Sequence, residues 1–287
     1  MILVTGATGN VGREIVKLLA DAGHSVRAAV SSEESAKKLP RTGIEHSLFD
    51  FGNPSTYPRS FAGVDRLFLM RPPAITDIKH IIKPVIDYAG KVGVKQIVFL
   101  SLMGAEKNRA LPHAKVETFL HASGLPYTFL RCGFFMQNLS TTHRQEICDN
   151  NDIFVPAGHG KTAFVDVRDI AEVAVKTLTE SGHENKAYPL TGSEALSYFE
   201  VADLFSQVLG RTITYSNPAP LRFAWRMKQQ GHSVSYISVV TTIYLTTRIG
   251  LAQTIAPEMA QLLGRPPIRM QQFIADHAEL WSPVFQL

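Results

Sequence analysis

The chain has 287 residues, of which 45% are apolar, and 29 basic against 25 acidic side chains give a formal net charge of +4. This fits one large α/β domain, or a core domain with a smaller lobe, and the scattered basic residues speak against direct nucleic-acid binding. Two cysteines, Cys132 and Cys148, lack disulfide-framework or metal-site spacing, and the start carries no signal-peptide pattern, so the expected setting is cytoplasmic.

The elements then alternate. ILVT, residues 2–5, reads as a buried parallel strand. The loop GATGNVG follows, and from Asn10 the apolar residues Val11, Ile15, Leu18 and Leu19 trace one helical face that Gly23 ends. Further strands are expected over 24–30, 43–50 and 65–70, the last stopped by Arg71-Pro72-Pro73. A helix over 76–92, a strand over 95–101, a helix over 113–123 and a strand over 126–131 complete the run. Such βαβ spacing predicts a Rossmann-type doubly wound parallel sheet, with ligand-binding loops along one edge.

Beyond 132 the rhythm changes. Long loops precede a helix over 166–180, a short strand over 187–192 and a helix over 197–210, and the remainder reads as mostly helical. The expected division is a nucleotide-binding core over 1–150, to which 166–192 returns, and a smaller, mostly helical lobe over 151–287. That lobe is expected to close over the cofactor edge and supply substrate contacts. The segment 235–252 is apolar but carries Arg248 and several hydroxyls, so it reads as a buried or partner-facing helix and not as a membrane span.

The glycine loop is the most informative stretch. Gly6 permits the tight turn out of the strand, Gly9 lets backbone approach a pyrophosphate, and Gly12 lets the helix pack closely. Backbone N–H groups near Asn10 and Val11, aided by the helix dipole and the Thr8 hydroxyl, would bind the phosphates. Strand two ends AAVSSEES, so Ser31 and not an acid stands at its tip. Lys37 and Lys38 lie near enough to meet a 2′-phosphate, which modestly favours NADP(H) over NAD(H). The alternative for both lysines is a solvated helix face.

The stretches VTGATGNVG, FLSLMGAEKN, LPYTFLRCGFFMQNL, FVDVRDIAEVAVKTL and GHENKAYPLTG together resemble the NmrA-like atypical short-chain dehydrogenase/reductases. The resemblance covers nearly the whole chain. It implies that Gly6, Thr8, Gly9, Asn10, Val11 and Gly12 form the phosphate loop. Ser31 stands where NADPH-binding relatives often carry arginine. Asp50 and Phe51 would border the adenine, Met70 and Arg71 would lie under the ribose and nicotinamide side, and Ser101 and Leu102 would face the nicotinamide. Phe134 and Phe135 would wall the substrate pocket. The family includes NAD(P)H-dependent quinone reductases, dye and azo-type reductases, isoflavone-type reductases and cofactor-binding redox sensors. The implied partner is a quinone-like or dye-like small molecule, or a regulatory protein meeting the helical region 221–262, on a monomer or homodimer.

Short-chain dehydrogenases use Tyr-x-x-x-Lys as proton donor and ribose ligand. Here the helix reads NRALPHAKVETFLHASG, with Leu111 four residues before Lys115; the family's lysine position falls at His113, with Arg109 four residues earlier. Neither register contains the pair. His113 is the candidate catalytic group, with Glu117 one turn on to orient it; the other reading is a half-exposed surface pair. A quinone or conjugated dye needs less, because it takes a hydride directly into a stabilised anion, with positioning and an apolar pocket carrying most of the rate. Sugar-nucleotide epimerase activity, which needs the tyrosine, ranks last. The ten histidines show no zinc pattern, so no metal is expected, and Asp166 reads as a helix N-cap without chemistry.

Overall fold

Short apolar runs, buried on both faces, build the central sheet of the first of two units. A computed structural model describes residues 1–40 and 42–281; the expected tail of the lobe over 282–287 lies outside the described residues. The first unit comprises Met1–Cys132, Val167–Leu190 and Gln261–Gly264. Its strands are β1 (Ile2–Val4), β2 (Val26–Val30), β3 (Glu45–Leu48), β4 (Arg66–Met70), β5 (Gln96–Leu102), β6 (Tyr127–Cys132) and the strand Lys186–Leu190. They form one seven-stranded sheet in the order β3-β2-β1-β4-β5-β6-(Lys186–Leu190), parallel at every pairing. The order reverses between β1 and β4, which opens the crevice beyond the strand C-termini where open α/β sheets hold ligands. Leu3, Val4, Leu67, Phe68, Leu69, Ile97, Val98 and Phe99 are fully shielded, as sheets covered on both faces require.

Helix α1 (Asn10–Asp21) buries Val11, Ile15, Val16 and Leu19 and packs beside the helix Val167–Thr179. The short helices α2 (Glu33–Ala36) and α3 (Tyr57–Phe61) flank β3. The helix expected over 76–92 is split: a π-type turn over Ile78–Ile82 leads into α4 (Lys83–Lys91). Pro84, which lacks an N–H, stands in the first turn of α4 and cannot continue an α-helical ladder from before it. Helix α5 (Pro112–Ala122) likewise begins on a proline, then buries Val116 and Leu120.

The second unit comprises Gly133–Asp166, Thr191–Ala260 and, of the described residues, 265–281. The change of unit thus falls at 132/133 and not at 150. Met136, Leu139, Ile147 and Ile153 are drawn into a separate core around Phe205, Phe273 and Trp281. The helix in the apolar segment spans Val234–Arg248 and is neither wholly buried nor wholly free: Ile237 and Tyr244 enter that core, while Val234 and Val239 are exposed. Among the described residues, no helix is long and apolar enough to cross a membrane.

His143 lies buried in this core, its Nε2 2.5 Å from the Tyr244 hydroxyl. Burial lowers its pKa from 6.5 to about 4. The unfolded chain therefore binds a proton that the folded chain refuses across this window. Stability is expected to fall as pH drops from about 6.5 towards 4. Urea midpoints measured across that range check it; a His143→Asn variant should flatten the slope, and an unchanged slope would remove His143 from the account.

Candidate functional site

The tip of β1 is stitched to β4 before the glycine loop begins. Thr5 is fully buried; its Oγ1 donates to the Phe68 carbonyl at 3.0 Å and accepts from the Met70 N–H at 2.8 Å. Gly6 then adopts φ +64°, and the Gly9 N–H closes the turn on the Gly6 carbonyl at 2.9 Å. A Cβ on Gly12 would stand 2.2 Å from the Gly6 oxygen, and one on Gly9 would stand 3.3 Å from it. Helix α1 therefore presses its first turn onto the loop, which only hydrogen at Gly12 allows. No side chain caps α1, and no acid stands in its first turn. The N–H groups at the start of α1 are thus left without a side-chain cap, and the residues present fit a dinucleotide's diphosphate.

The basic residues near strand two are placed differently from one another. Arg27 turns to the opposite end of the sheet, pairing with Glu45 at 2.7 Å and donating to the Ser60 and Ala62 carbonyls at 2.9 and 2.7 Å. Lys37 pairs with Glu34 at 2.6 Å on an open face, whereas Lys38 is exposed. Ser31 is exposed at the strand tip with its Oγ 3.2 Å from that of Ser35, and Ser32 caps α2. Asp50 is also exposed and accepts the Gly52 N–H at 2.8 Å, while Phe51 sets its ring edge-on to Phe49 at 4.9 Å.

At the tip of β4 two successive side chains part. Met70 lies against the glycine loop, its Cε 2.5 Å from where a Gly6 Cβ would be. Arg71 turns back on its own loop, and its Nη1 donates to the carbonyls of Pro72, Pro73 and Ile75 at 3.0, 3.1 and 2.7 Å. Among the described residues, its buried Nε has no hydrogen-bond partner. Its charge acts on His113, a half-buried ring 6.1 Å from that of Phe99. Burial first, and the Arg71 charge second, lower the His113 pKa to about 4, so the imidazole is neutral at ordinary pH.

Glu117 does not serve His113 as its orienting carboxylate. It is buried, and its Oε1 accepts from Ser101 Oγ at 2.6 Å and from Arg131 Nε at 3.1 Å, while Oε2 accepts from Arg131 Nη2 at 2.7 Å. Ser101 thus spends its hydroxyl proton inside the fold, whereas Leu102, the next residue of β5, is exposed. The sequence offered one clue to this cluster: Ser101 and Arg131 are the polar interruptions at the ends of two apolar strands. The register that sets Ser101 opposite Arg131 comes only with strand pairing.

Phe134 and Phe135 belong to the second unit. Phe134 is half-buried against that unit's core, and Phe135 bridges to Val165. Asp166 is fully buried and accepts from Gln137 Nε2 at 2.9 Å, immediately before the helix that starts at Val167. Among the described residues, no three His, Cys, Asp or Glu side chains gather as a metal site would require.

Comparison with known proteins gives a consistent set. The family model described as the NmrA-like family matches residues 1–262. An NAD(P)H azoreductase of Xenophilus azovorans is 33% identical over 97% of this chain and 98% of its own. The crystal structure of an NADPH-dependent quinone oxidoreductase from Escherichia coli, complexed with NADPH, superposes with a TM-score of 0.86 at 26% identity, covering 97% of this chain and 100% of that one. A triphenylmethane reductase of Citrobacter sp., complexed with NADP(H), gives 0.85 at 25% identity over 96% and 99% of the two chains.

Proposed function

The chain belongs to the NmrA-like family, and from that premise we propose that it is an NADPH-dependent oxidoreductase that reduces quinone-like or conjugated dye-like acceptors by direct hydride transfer. The observation that carries this reading is the glycine cradle: Gly12 sealed against the Gly6 carbonyl beneath an uncapped helix start. Bound NADPH supplies the hydride, two electrons with one proton, from its nicotinamide ring. Gly6, Thr8, Gly9, Asn10, Val11 and Gly12 hold the diphosphate, Ser31 with Lys38 meets the 2′-phosphate, and Asp50 and Phe51 border the adenine. Met70, Arg71, Ser101 and Leu102 line the ribose and nicotinamide half. His113 is the candidate catalytic group, acting as a neutral N–H donor. The absent Tyr-x-x-x-Lys pair selects against simple ketones and alcohols, which need a strong proton donor.

Calorimetric titration with NADPH, NADP, NADH and NAD, followed by a panel of quinones and azo dyes, tests the reading. Tighter binding of the phosphorylated forms and acceptor-dependent NADPH oxidation are expected. Oxidation no faster than in buffer across the panel would overturn it. A second reading is a redox sensor that presents the 221–262 region to a regulatory protein. The exposed apolar side chains Leu221 (85%), Trp225 (63%), Ile249 (70%) and Leu251 (69%) favour it. Partner binding that ignores the cofactor's presence and redox state would sink that second reading.

A further inference from the structure

From Leu204 to Pro257 the second unit carries no Asp or Glu, although the chain as a whole has 25, while the same stretch holds five Arg or Lys. Within it the helices Pro220–Gln229 and Val234–Arg248 are joined by a short turn and pack on each other. Each is anchored in the unit's core by one side only, through Phe223 and Met227 on the first and Ile237 and Tyr244 on the second. The sides turned away are rich in apolar side chains. Leu221 and Trp225, four residues apart, stand opposite Phe223 and Met227 on their helix and are 85% and 63% exposed. Val239 and Ile243 are exposed on the neighbouring helix. The charges beside these residues have one sign. Arg226 is taken by Glu146 at 2.7 Å. Arg222 and Lys228 flank Leu221 and Trp225, are exposed, and have no carboxylate partner among the described residues.

An apolar face of this kind marks a contact made in use, and its charge selects the occupant. A second copy of the chain is a poor cover. A two-fold contact would bring the Arg222 and Lys228 of both copies to one interface, with no acid in the whole stretch to receive them. An anionic bilayer meets both requirements. Its headgroup layer takes up protruding indole and leucine side chains without needing a shaped pocket, and its phosphates neutralise the cations. We propose that this two-helix face docks on the surface of an anionic membrane, with Leu221 and Trp225 entering the interfacial layer and Arg222 and Lys228 meeting lipid phosphates. The helices lie on the membrane and do not cross it; among the described residues none is long and apolar enough to do so. The docking is independent of the reductase reading, whose failure would leave it standing.

Flotation of the full chain with vesicles tests the proposal. One set contains phosphatidylcholine and phosphatidylglycerol, the other phosphatidylcholine alone. At low salt the protein should bind the mixed vesicles at least about tenfold more tightly than the neutral ones, and high salt should erase the difference. Of the two tryptophans Trp281 is fully buried, so a fluorescence change on binding reports Trp225. A blue shift and quenching by brominated lipid are expected. Arg222→Gln with Lys228→Gln should weaken binding about twentyfold, roughly fivefold for each charge lost. Leu221→Ser with Trp225→Ser should weaken it at least about tenfold. All four side chains are exposed, so both double variants should fold, which thermal unfolding checks. Binding that ignores lipid charge, or that survives in either folded double variant, overturns the proposal. So does binding without quenching of Trp225 by brominated lipid. No binding to the mixed vesicles overturns it and leaves the face to the regulatory protein of the second reading. A dimer in analytical ultracentrifugation that Leu221→Ser with Trp225→Ser dissociates also overturns it and gives the face to a second copy.

Discussion

Glu117→Ala is expected to destabilise the protein by roughly 3–5 kcal/mol, the range for removing one partner of a buried ion pair. The Glu117 side chain is 6% exposed and that of Arg131 20%. Its carboxylate takes a forked pair of bonds from Arg131 and a third from Ser101, and the Arg131 pKa is raised chiefly by its hydrogen bonds to Glu117. Alanine would strand a guanidinium and a buried hydroxyl at the ends of β5 and β6 together. Glu106, 3.6 Å from Arg131 on the outer side, offers only partial compensation. Glu117→Gln keeps acceptor geometry on one oxygen and loses the charge, so a smaller loss is expected. Urea unfolding of both variants measures the effect. Equal, small losses below about 1 kcal/mol would mean that solvent already screens the cluster as it does a surface pair.

Gly12→Ala and Gly9→Val should separate folding from cofactor binding. At Gly12 a methyl group would stand 2.2 Å from the Gly6 oxygen and 2.7 Å from its carbonyl carbon, both backbone atoms that cannot swing aside. The helix must lift off the loop, at a cost of about 1–3 kcal/mol by analogy with overpacked cores, and the phosphate cradle opens with it. Gly9 has more room: its Cβ would stand 3.3 Å from the same oxygen, with the Met70 methyl group next at 3.9 Å. Valine there should leave the fold largely intact but fill the space a diphosphate approaches through, weakening NADPH at least about a hundredfold, near 2.7 kcal/mol. Calorimetry and thermal unfolding on the two variants read both quantities. NADPH affinity unchanged in folded Gly9→Val would move the cofactor away from this loop.

Several features were legible in the chain because they depend on local periodicity. Apolar runs at βαβ spacing announced the parallel sheet, and the glycine spacing announced the turn that α1 starts from. The missing tyrosine is a statement about residues alone and needs no coordinates. What periodicity cannot supply is register and side-chain direction. Arg27 lies inside β2, and only the pairing of that strand with β3 sends it to Glu45, away from the strand tips. Lys37 and Lys38 are neighbours in sequence, yet helix geometry gives the first to Glu34. His113 and Glu117 share a helical spacing, but burial against β5 and β6 draws the carboxylate to Ser101 and Arg131 and leaves the imidazole with its ring 6.1 Å from that of Phe99. The sequence by itself determined the sheet, the glycine turn before α1 and the absence of the usual acid. Tertiary structure decided which charges are cancelled and which are left to act, because cancellation depends on distances of a few ångströms between residues far apart in the chain.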